Sequence, residues 1–271
     1  MIKIDEREPE GYEWYKEQIA GHHPSVIKGN QKQIGLLKKK NGKNVLKVVQ
    51  DGMKGELEVQ FYDTLFNQDV PKSLELLKSF VPEYFGLHDI KFTDKTFKFI
   101  ELADIAEGYK FPCQMDVKIG IKTFDPHASL KKQENERYRL NLIDNIDKNN
   151  VSLIAKDRVW GRSFDEKNVL FAFKEFFIHN SSHLNSHLLE NFLKQLKTLE
   201  SWFSVQTSYH FYASSLLFVY EGNAKVKEEL KPTIKMIDFS HTYSGNGQLD
   251  KNYIPGLQNL IEIFEKCLNL M

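Results

Sequence analysis

The sequence predicts an α+β fold, and three stretches carry that prediction. Residues 33–50 alternate apolar and polar side chains and break at Asn41-Gly42, the strongest short signal for a hairpin. Residues 56–68 place Leu57, Phe61, Leu65 and Phe66 on one helical stripe. Pro112–Gly120 alternates Met115, Val117 and Ile119 with Asp116 and Lys118, the period of a strand with one buried face.

Taken in order, the hairpin gives strands near 33–39 and 43–49. In the second, Val45 and Val49 share a face with Lys47. A lysine among β-branched residues is costly unless its ammonium meets an anion or snorkels to solvent. After the helix at 56–68, a second helix over 72–80 ends at Val81-Pro82, because the residue before proline leaves the helical region. Phe92 to Ile100 reads as a strand running into Glu101-Leu102-Ala103.

Asp125-Pro126 opens a helical run to about Ile146, with Lys131 and Lys132 in its first turn and Arg139 further along. Amide donors and cations at a helix start suit phosphate groups. Ser163 with Glu166 forms a capping box that starts a helix through about Ile178. A further helix over about 186–203 turns Leu189, Leu193, Leu196 and Trp202 inward. Phe211–Glu221 and Lys235–Ile237 read as buried strands, and 255–270 as a terminal amphipathic helix.

Composition bounds the function. At 271 residues, 41% hydrophobic and 27% charged, the chain suits one large soluble domain or two lobes. Balanced charge, 37 basic against 37 acidic residues, weighs against a general nucleic-acid binder. It leaves room for a small polyanion, because basic residues outnumber acidic ones between Lys110 and Arg139. Cys113 and Cys267 make neither a disulfide framework nor a zinc cluster. His179, His183 and His187 recur at four-residue intervals without an acidic or cysteine partner, so no zinc site is expected. No apolar run is long enough to span a membrane, and the first thirty residues are charged and polar, which predicts an intracellular protein.

On Pro112–Gly120 the carboxylate of Asp116 and the ammonium of Lys118 project together from the face opposite the apolar residues. An edge-strand ion pair is the plain alternative to a pair that works on a ligand. The run has the form P-x-x-x-D-x-K-x-G, which closely resembles the signature of the inositol polyphosphate kinase family. Further runs resemble the same family, in the same order along the chain. They are Gln18-Ile19-Ala20-Gly21-His22, Ser214-Ser215-Leu216-Leu217 and Ile237-Asp238-Phe239.

This resemblance implies a two-lobed, protein-kinase-like fold of the ATP-grasp-like or SAICAR-synthase-like kind. Residues 1–103 would form the nucleotide-binding lobe and hinge, and 104–271 the catalytic lobe, with an inositol-phosphate-binding helical insert at about 126–147. It also implies ATP and Mg2+ as cofactors. Lys47 would hold the α/β-phosphates, partnered by Glu58, which matches the family's spacing better than Glu56. The backbone at Glu101 and Ala103 would pair with adenine, and Leu217 would pack beneath it. Asp238 would hold the metal, and Gln18–His22 with Lys28-Gly29-Asn30 would cover the ATP phosphates.

For the chemistry itself, the resemblance implies Asp116 and Lys118. Asp116 would bind the ribose or orient the acceptor oxygen, while Lys118 neutralises the transferring phosphoryl group or the substrate. Lys132, Asn135 and His241 would address the inositol phosphate, with Glu136 also facing its pocket. Arg158, just before the turn at Gly161, is a candidate substrate cation or a structural partner of a glutamate or the backbone. Two branches fit: multikinases, which phosphorylate partly phosphorylated rings, and inositol hexakisphosphate kinases, which make pyrophosphates. A hydroxyl acceptor needs help losing its proton, whereas a phosphate acceptor arrives ionised and demands cations more than a base. A protein kinase fits less well, because H-R-D-x-x-x-x-N is absent and Asp238-Phe239 is followed by serine. A catalytically silent nucleotide- or inositol-phosphate-binding scaffold is the alternative from another class. The expectation is a monomer of the cytoplasm or nucleus, with no nucleic-acid partner.

Overall fold

The computed structural model describes residues 8–15, 27–28, 31–32, 34–93, 95–122, 124–125, 140–144, 154–156, 158–161, 163–164, 168–177 and 182–270. Of these, 27–28, 31–32, 140–144, 154–156, 158–159 and 182–184 are described by their backbone alone. The described strands of the first part are β1 (Tyr12–Trp14), β2 (Ile27–Lys28), β3 (Gln31–Lys32), β4 (Leu37–Lys39), β5 (Asn44–Val48), β6 (Tyr84–Lys91) and β7 (Thr96–Ala103). Helices α1 (Met53–Leu65) and α2 (Glu75–Ser79) lie between β5 and β6, with a 3-10 turn at Lys72–Leu74 leading into α2. Five of these strands pair antiparallel in the order β1-β4-β5-β7-β6.

The hairpin expected at Asn41-Gly42 joins β4 to β5, with Leu37 opposite Leu46. Asn41 takes the left-handed conformation, and the Gly42 amide closes the turn on the Lys39 carbonyl. On β5, Leu46 and Val48 pack into a small core on one side of the sheet. Val45, from the other face, joins the main core. Helix α1 buries Glu58, Phe61, Tyr62 and Leu65. The expected stripe is therefore turned: Leu57 is only half-buried, and Glu58 takes the inward position because charged and main-chain partners compensate it there.

One further expectation shifts here. Phe92 precedes the strand instead of starting it, because its amide closes a turn on the Lys95 carbonyl. Strand β6 had no legible pattern: Phe85 and Leu87 face solvent on an outer strand.

The second part contributes β8 (Pro112–Lys118), β9 (Leu140–Asp144), β10 (Ile154–Lys156), β11 (Tyr209–Phe211), β12 (Ser215–Glu221), β13 (Thr233–Ile237) and β14 (Thr242–Ser244). Its described helices are α3 (Arg158–Gly161), α4 (Val169–Phe177), α5 (Ser182–Phe203) and α6 (Tyr253–Asn269). Strands pair antiparallel in the order β10-β9-β8-β12-β13, and β11 pairs with β14. One face of the larger sheet sends Cys113, Met115, Val117, Leu216, Phe218, Ile234 and Met236 into the main core. Residues of α4, α5 and α6 fill that same core, including Phe173, Phe192, Leu196 and Phe264.

Residues 140–144 were expected to be helical and are a strand instead. Pairing with β8, which sets Asn141 opposite Asp116, overrides the local helical spacing by satisfying the backbone groups on that side of β8. The rest of the expected insert helix, with Lys131, Lys132, Asn135, Glu136 and Arg139, lies outside the described residues. The capping box at Ser163 is also corrected: its hydroxyl donates to the Trp160 carbonyl and closes the turn after α3, and the next helix begins at Val169.

The two parts are tied together through α2. Trp202 Nε1 donates to the Ser73 carbonyl at 2.6 Å, Lys235 Nζ to the Ser79 carbonyl at 2.7 Å, and the Met236 amide to the Phe80 carbonyl at 2.6 Å. Among the described residues no helix is long and apolar enough to cross a membrane.

Candidate active site

Directly opposed residues in an antiparallel ladder project from the same face. The face of the larger sheet turned away from the main core therefore carries three short rows. Lys118, Ser215 and Ile237 form the first, Asp116, Leu217 and Lys235 the second, and Gln114, Val219 and Thr233 the third. Asp116 is only 3% exposed. Lys118 Nζ donates to the Ala213 carbonyl at 2.9 Å and to Ser215 Oγ at 3.4 Å. Both acceptors are uncharged, so these bonds orient the ammonium without neutralising it. Ala213 holds φ at 53°, which breaks the expected strand into β11 and β12 and turns this carbonyl toward Lys118.

Asp238 follows Ile237 directly, at the end of the first row. With strands about 4.8 Å apart, that row brings the backbone of Asp238 roughly 10 Å from Lys118. Asp238 holds φ at 65° and leaves 24% of its side chain exposed. Its Oδ1 lies 2.7 Å from Lys47 Nζ, which is also 2.7 Å from Glu58 Oε1. Burial pulls the Lys47 pKa down, but Asp238 and then Glu58 more than reverse this and hold the ammonium charged.

Glu58 is 1% exposed, and its Oε1 also accepts the Phe239 amide at 3.2 Å. Phe239 stacks on Phe61 of α1 with ring centroids 4.0 Å apart. Helix α1 thus positions Lys47 through a carboxylate and Asp238 through its neighbour's amide and ring. Gln50 Nε2 adds a bond to Ser240 Oγ at 3.0 Å.

Beside the rows lies an apolar patch of Tyr109, Leu217 and Val219, with Ile105 and Ile237 packed against it. Tyr109 is held by its hydroxyl, which donates to the Lys231 carbonyl at 2.6 Å. Leu217 stands in this patch, and its apolar surface suits the flat face of a base. The two residues expected at the hinge, Glu101 and Ala103, stand at the end of β7. The Ala103 amide is engaged by the Glu83 carbonyl at 2.8 Å, so that N–H is already used within the sheet. Glu101 sits between Leu46 and Gly86 in the ladder. Its carboxylate accepts from Lys39 and Asn44 and contacts His88.

Gly120 serves the fold. It holds φ at +124°, and a Cβ there would meet Asn252 Nδ2 at 2.6 Å. Gly256 of α6 packs on the Gly120 backbone so closely that its own Cβ would stand 2.4 Å from the Gly120 nitrogen. The glycine that closes the signature thus seats β8 on the terminal helix.

His241 places Nδ1 2.9 Å from Asp125 Oδ2. Sequence reading took Asp125 for a helix start and missed this partner, since only the fold joins the exits of β8 and β13. Arg158 stands in α3, but its side chain lies outside the described residues, as do Lys132 and Asn135. The Gln18–His22 and Lys28-Gly29-Asn30 cover also lies there, apart from the backbone of Lys28. His187 accepts or donates a bond with Asn191, and no group of three metal-ligating side chains occurs among the described residues. The site therefore unites Lys47, Glu58, Asp116, Lys118, Leu217 and Asp238.

The family described as inositol polyphosphate kinase matches residues 99–265, well over half of the chain. Human inositol polyphosphate multikinase is 28% identical, over 93% of this chain and 61% of its own length. Arabidopsis thaliana inositol polyphosphate multikinase alpha is 29% identical, over 93% of this chain and 94% of its own. Human inositol hexakisphosphate kinase 3 is 29% identical, over 64% of this chain and 52% of its own. The chain thus spans less than two thirds of the human relatives and nearly all of the plant one.

Among solved structures, S. cerevisiae inositol phosphate multikinase Ipk2, in complex with ADP and Mn2+, matches with a TM-score of 0.66 at 22% identity. That match covers 84% of this chain and 100% of the yeast one. A second inositol phosphate multikinase structure matches with a TM-score of 0.60 at 27% identity, over 78% of this chain and 99% of its own. The kinase-like α+β fold expected from the sequence is the fold observed.

Proposed function

Because the chain belongs to the inositol polyphosphate kinase family, we propose that it transfers the γ-phosphoryl group of ATP to an inositol phosphate. The observation that carries this proposal is the meeting of Lys47 and Asp238 from two different sheets, at the end of the row that begins with Lys118. A largely covered cation, a part-exposed carboxylate and a second cation along one row suit a nucleotide triphosphate and an anionic acceptor.

The donor set fits a magnesium ion. Asp238 offers one part-exposed carboxylate at a strand end, and Mg2+ in phosphotransferases is held by one or two carboxylates, with substrate phosphates and waters filling the remaining positions. Bound there, the ion would draw charge from the β- and γ-phosphates. The protein's own groups do the positioning. Lys47 addresses the α/β-phosphates while Glu58 keeps it aimed, and Leu217 with its apolar neighbours receives the base. Asp116 binds the ribose or orients the acceptor oxygen. Lys118, already held by Ala213 and Ser215, faces charge on the transferring phosphoryl group or the acceptor. Most of the rate enhancement then comes from orientation and electrostatics.

Lys132, Asn135, Arg158 and His241 are the proposed acceptor-binding residues. Both inositol hexakisphosphate and less phosphorylated rings are proposed acceptors. The similarity to multikinases extends over more of the chain than that to the hexakisphosphate kinase, which favours a ring that still bears a hydroxyl. The proposed setting is the cytoplasm or nucleus and the proposed state a monomer. Incubation of the purified protein with Mg·ATP and each of the tris-, pentakis- and hexakisphosphates, with ADP as readout, tests the assignment. Acceptor-dependent ADP is the expected result. Binding of ATP and acceptor without turnover would favour the silent scaffold.

A further inference from the structure

We propose that Asp125 is a positioning residue for acceptor recognition, acting through His241. This rests on the kinase reading above and adds to it a residue whose part is to fix an imidazole.

Asp125 lies beyond the exit of β8 and His241 beyond the exit of β13, so the pair links the ends of the two strands that carry Asp116, Lys118 and Asp238. Both side chains are largely covered, at 14% and 11% exposure, and Nδ1 stands 2.9 Å from Oδ2. The other carboxylate oxygen faces the Tyr243 hydroxyl at 3.4 Å. Tyr243 packs edge-on against Tyr212, whose amide donates to the His241 carbonyl at 3.2 Å. The histidine is therefore held at its main chain and closely faced by the carboxylate at one ring nitrogen, and the carboxylate is steadied from its far side.

A carboxylate 2.9 Å from Nδ1 confines the ring on that side and leaves Nε2 on the opposite side of the imidazole. A ring free to turn about its side-chain bonds would lose orientation entropy on meeting a phosphate, and a fixed ring has already lost it. The strand pairing next to the pair does not depend on Asp125: Tyr209, His210 and Phe211 are aligned with Ser244, Tyr243 and Thr242 by backbone register. That separates a role in the site from a role in the fold.

The test is a double-mutant cycle on the full chain with Asp125→Ala, His241→Ala and both together. Kinetics with Mg·ATP and the best acceptor are read beside calorimetric binding of inositol hexakisphosphate, which needs no turnover. Asp125→Ala is expected to raise the acceptor KM and the dissociation constant about tenfold, as for one lost close polar contact, with the ATP KM unchanged. In the His241→Ala background the same change should have an effect within about twofold, because the route through the ring is gone. Asp125→Asn, which keeps an oxygen beside Nδ1, should recover most of the loss.

An equal penalty with or without the imidazole, or an effect on the ATP KM alone, would overturn the proposal. Failure of both Asp125 variants to fold would overturn it as well, by making the residue structural. A wild-type protein that binds the hexakisphosphate but transfers to no acceptor would sink the kinase reading, while the binding cycle still decides the role of Asp125. Absence of any binding would sink both.

Discussion

Lys47 Nζ and Asp238 Oδ1 stand 2.7 Å apart although 191 positions separate the two residues in the chain. One comes from the second strand of a hairpin in the first sheet, the other from the end of a strand in the second sheet. Neither is placed by its own neighbours alone: Glu58 on α1 contacts the lysine directly and the Phe239 amide beside the aspartate. The site is thus a junction between sheets, and its integrity reports on their packing.

Replacing Lys47 by Met is expected to abolish transfer and also to destabilise the fold. It leaves the Glu58 carboxylate buried without its cation, which costs about 3 kcal/mol. The double change Lys47→Met with Glu58→Gln removes that stranded charge and should regain most of the stability without any activity. Urea midpoints and turnover, measured on the same preparations, check both halves.

Asp116→Ala and Lys118→Ala should leave the far-ultraviolet circular dichroism unchanged, because both side chains lie on the sheet face turned away from the main core. Each should lower kcat by at least about a hundredfold, the usual scale for loss of a preorganised charged group. Near-normal turnover in either variant would contradict the assignment.

Leu217→Ala removes a buried side chain from the apolar patch formed with Tyr109 and Val219. A base resting there loses contact while the acceptor does not. The expected outcome is a rise in the ATP KM of about tenfold with the acceptor KM steady. A change confined to the acceptor would move the base elsewhere.

Gly256→Ala should destabilise the chain by roughly 1–3 kcal/mol, since its Cβ would press into the Gly120 backbone. Gly120→Ala adds a strained φ to a clash with Asn252. The two changes disturb one contact, so their melting-temperature shifts should combine to less than their sum.

Glu101 gives the pH prediction. Burial alone would raise its pKa, but bonds from Asn44 and Lys39, then the charges of Lys39 and His88, hold it below the usual 4.5. A depressed folded-state value means that the stabilisation is present above the unfolded value and is lost as pH falls through the folded one. Stability should therefore decline as pH drops below 4.5, and Glu101→Gln should flatten that acid limb in denaturant midpoints.

Much of the site is readable in the sequence because its parts follow local rules. Asp116 and Lys118 announce themselves by alternating with Met115, Val117 and Ile119, and Lys47 by standing among valines. The hairpin is equally local: Asn41 needs only its own left-handed backbone. What sequence misses is non-local. Residues 140–144 have helical spacing, and only the unsatisfied side of β8 makes them a strand. Glu58 looks like the polar face of a helix until Lys47 and Phe239 arrive to compensate it. Asp125 and His241 meet because two strand exits converge, which no window of sequence contains.

The most direct test of the account is a single-turnover reaction with ATP labelled at the γ-phosphate, Mg2+ and an inositol phosphate. Label recovered in the inositol ring's phosphates, and lost from them in Asp238→Asn, is the predicted result. Label that stays in ATP, or appears only as inorganic phosphate with every acceptor, would contradict it.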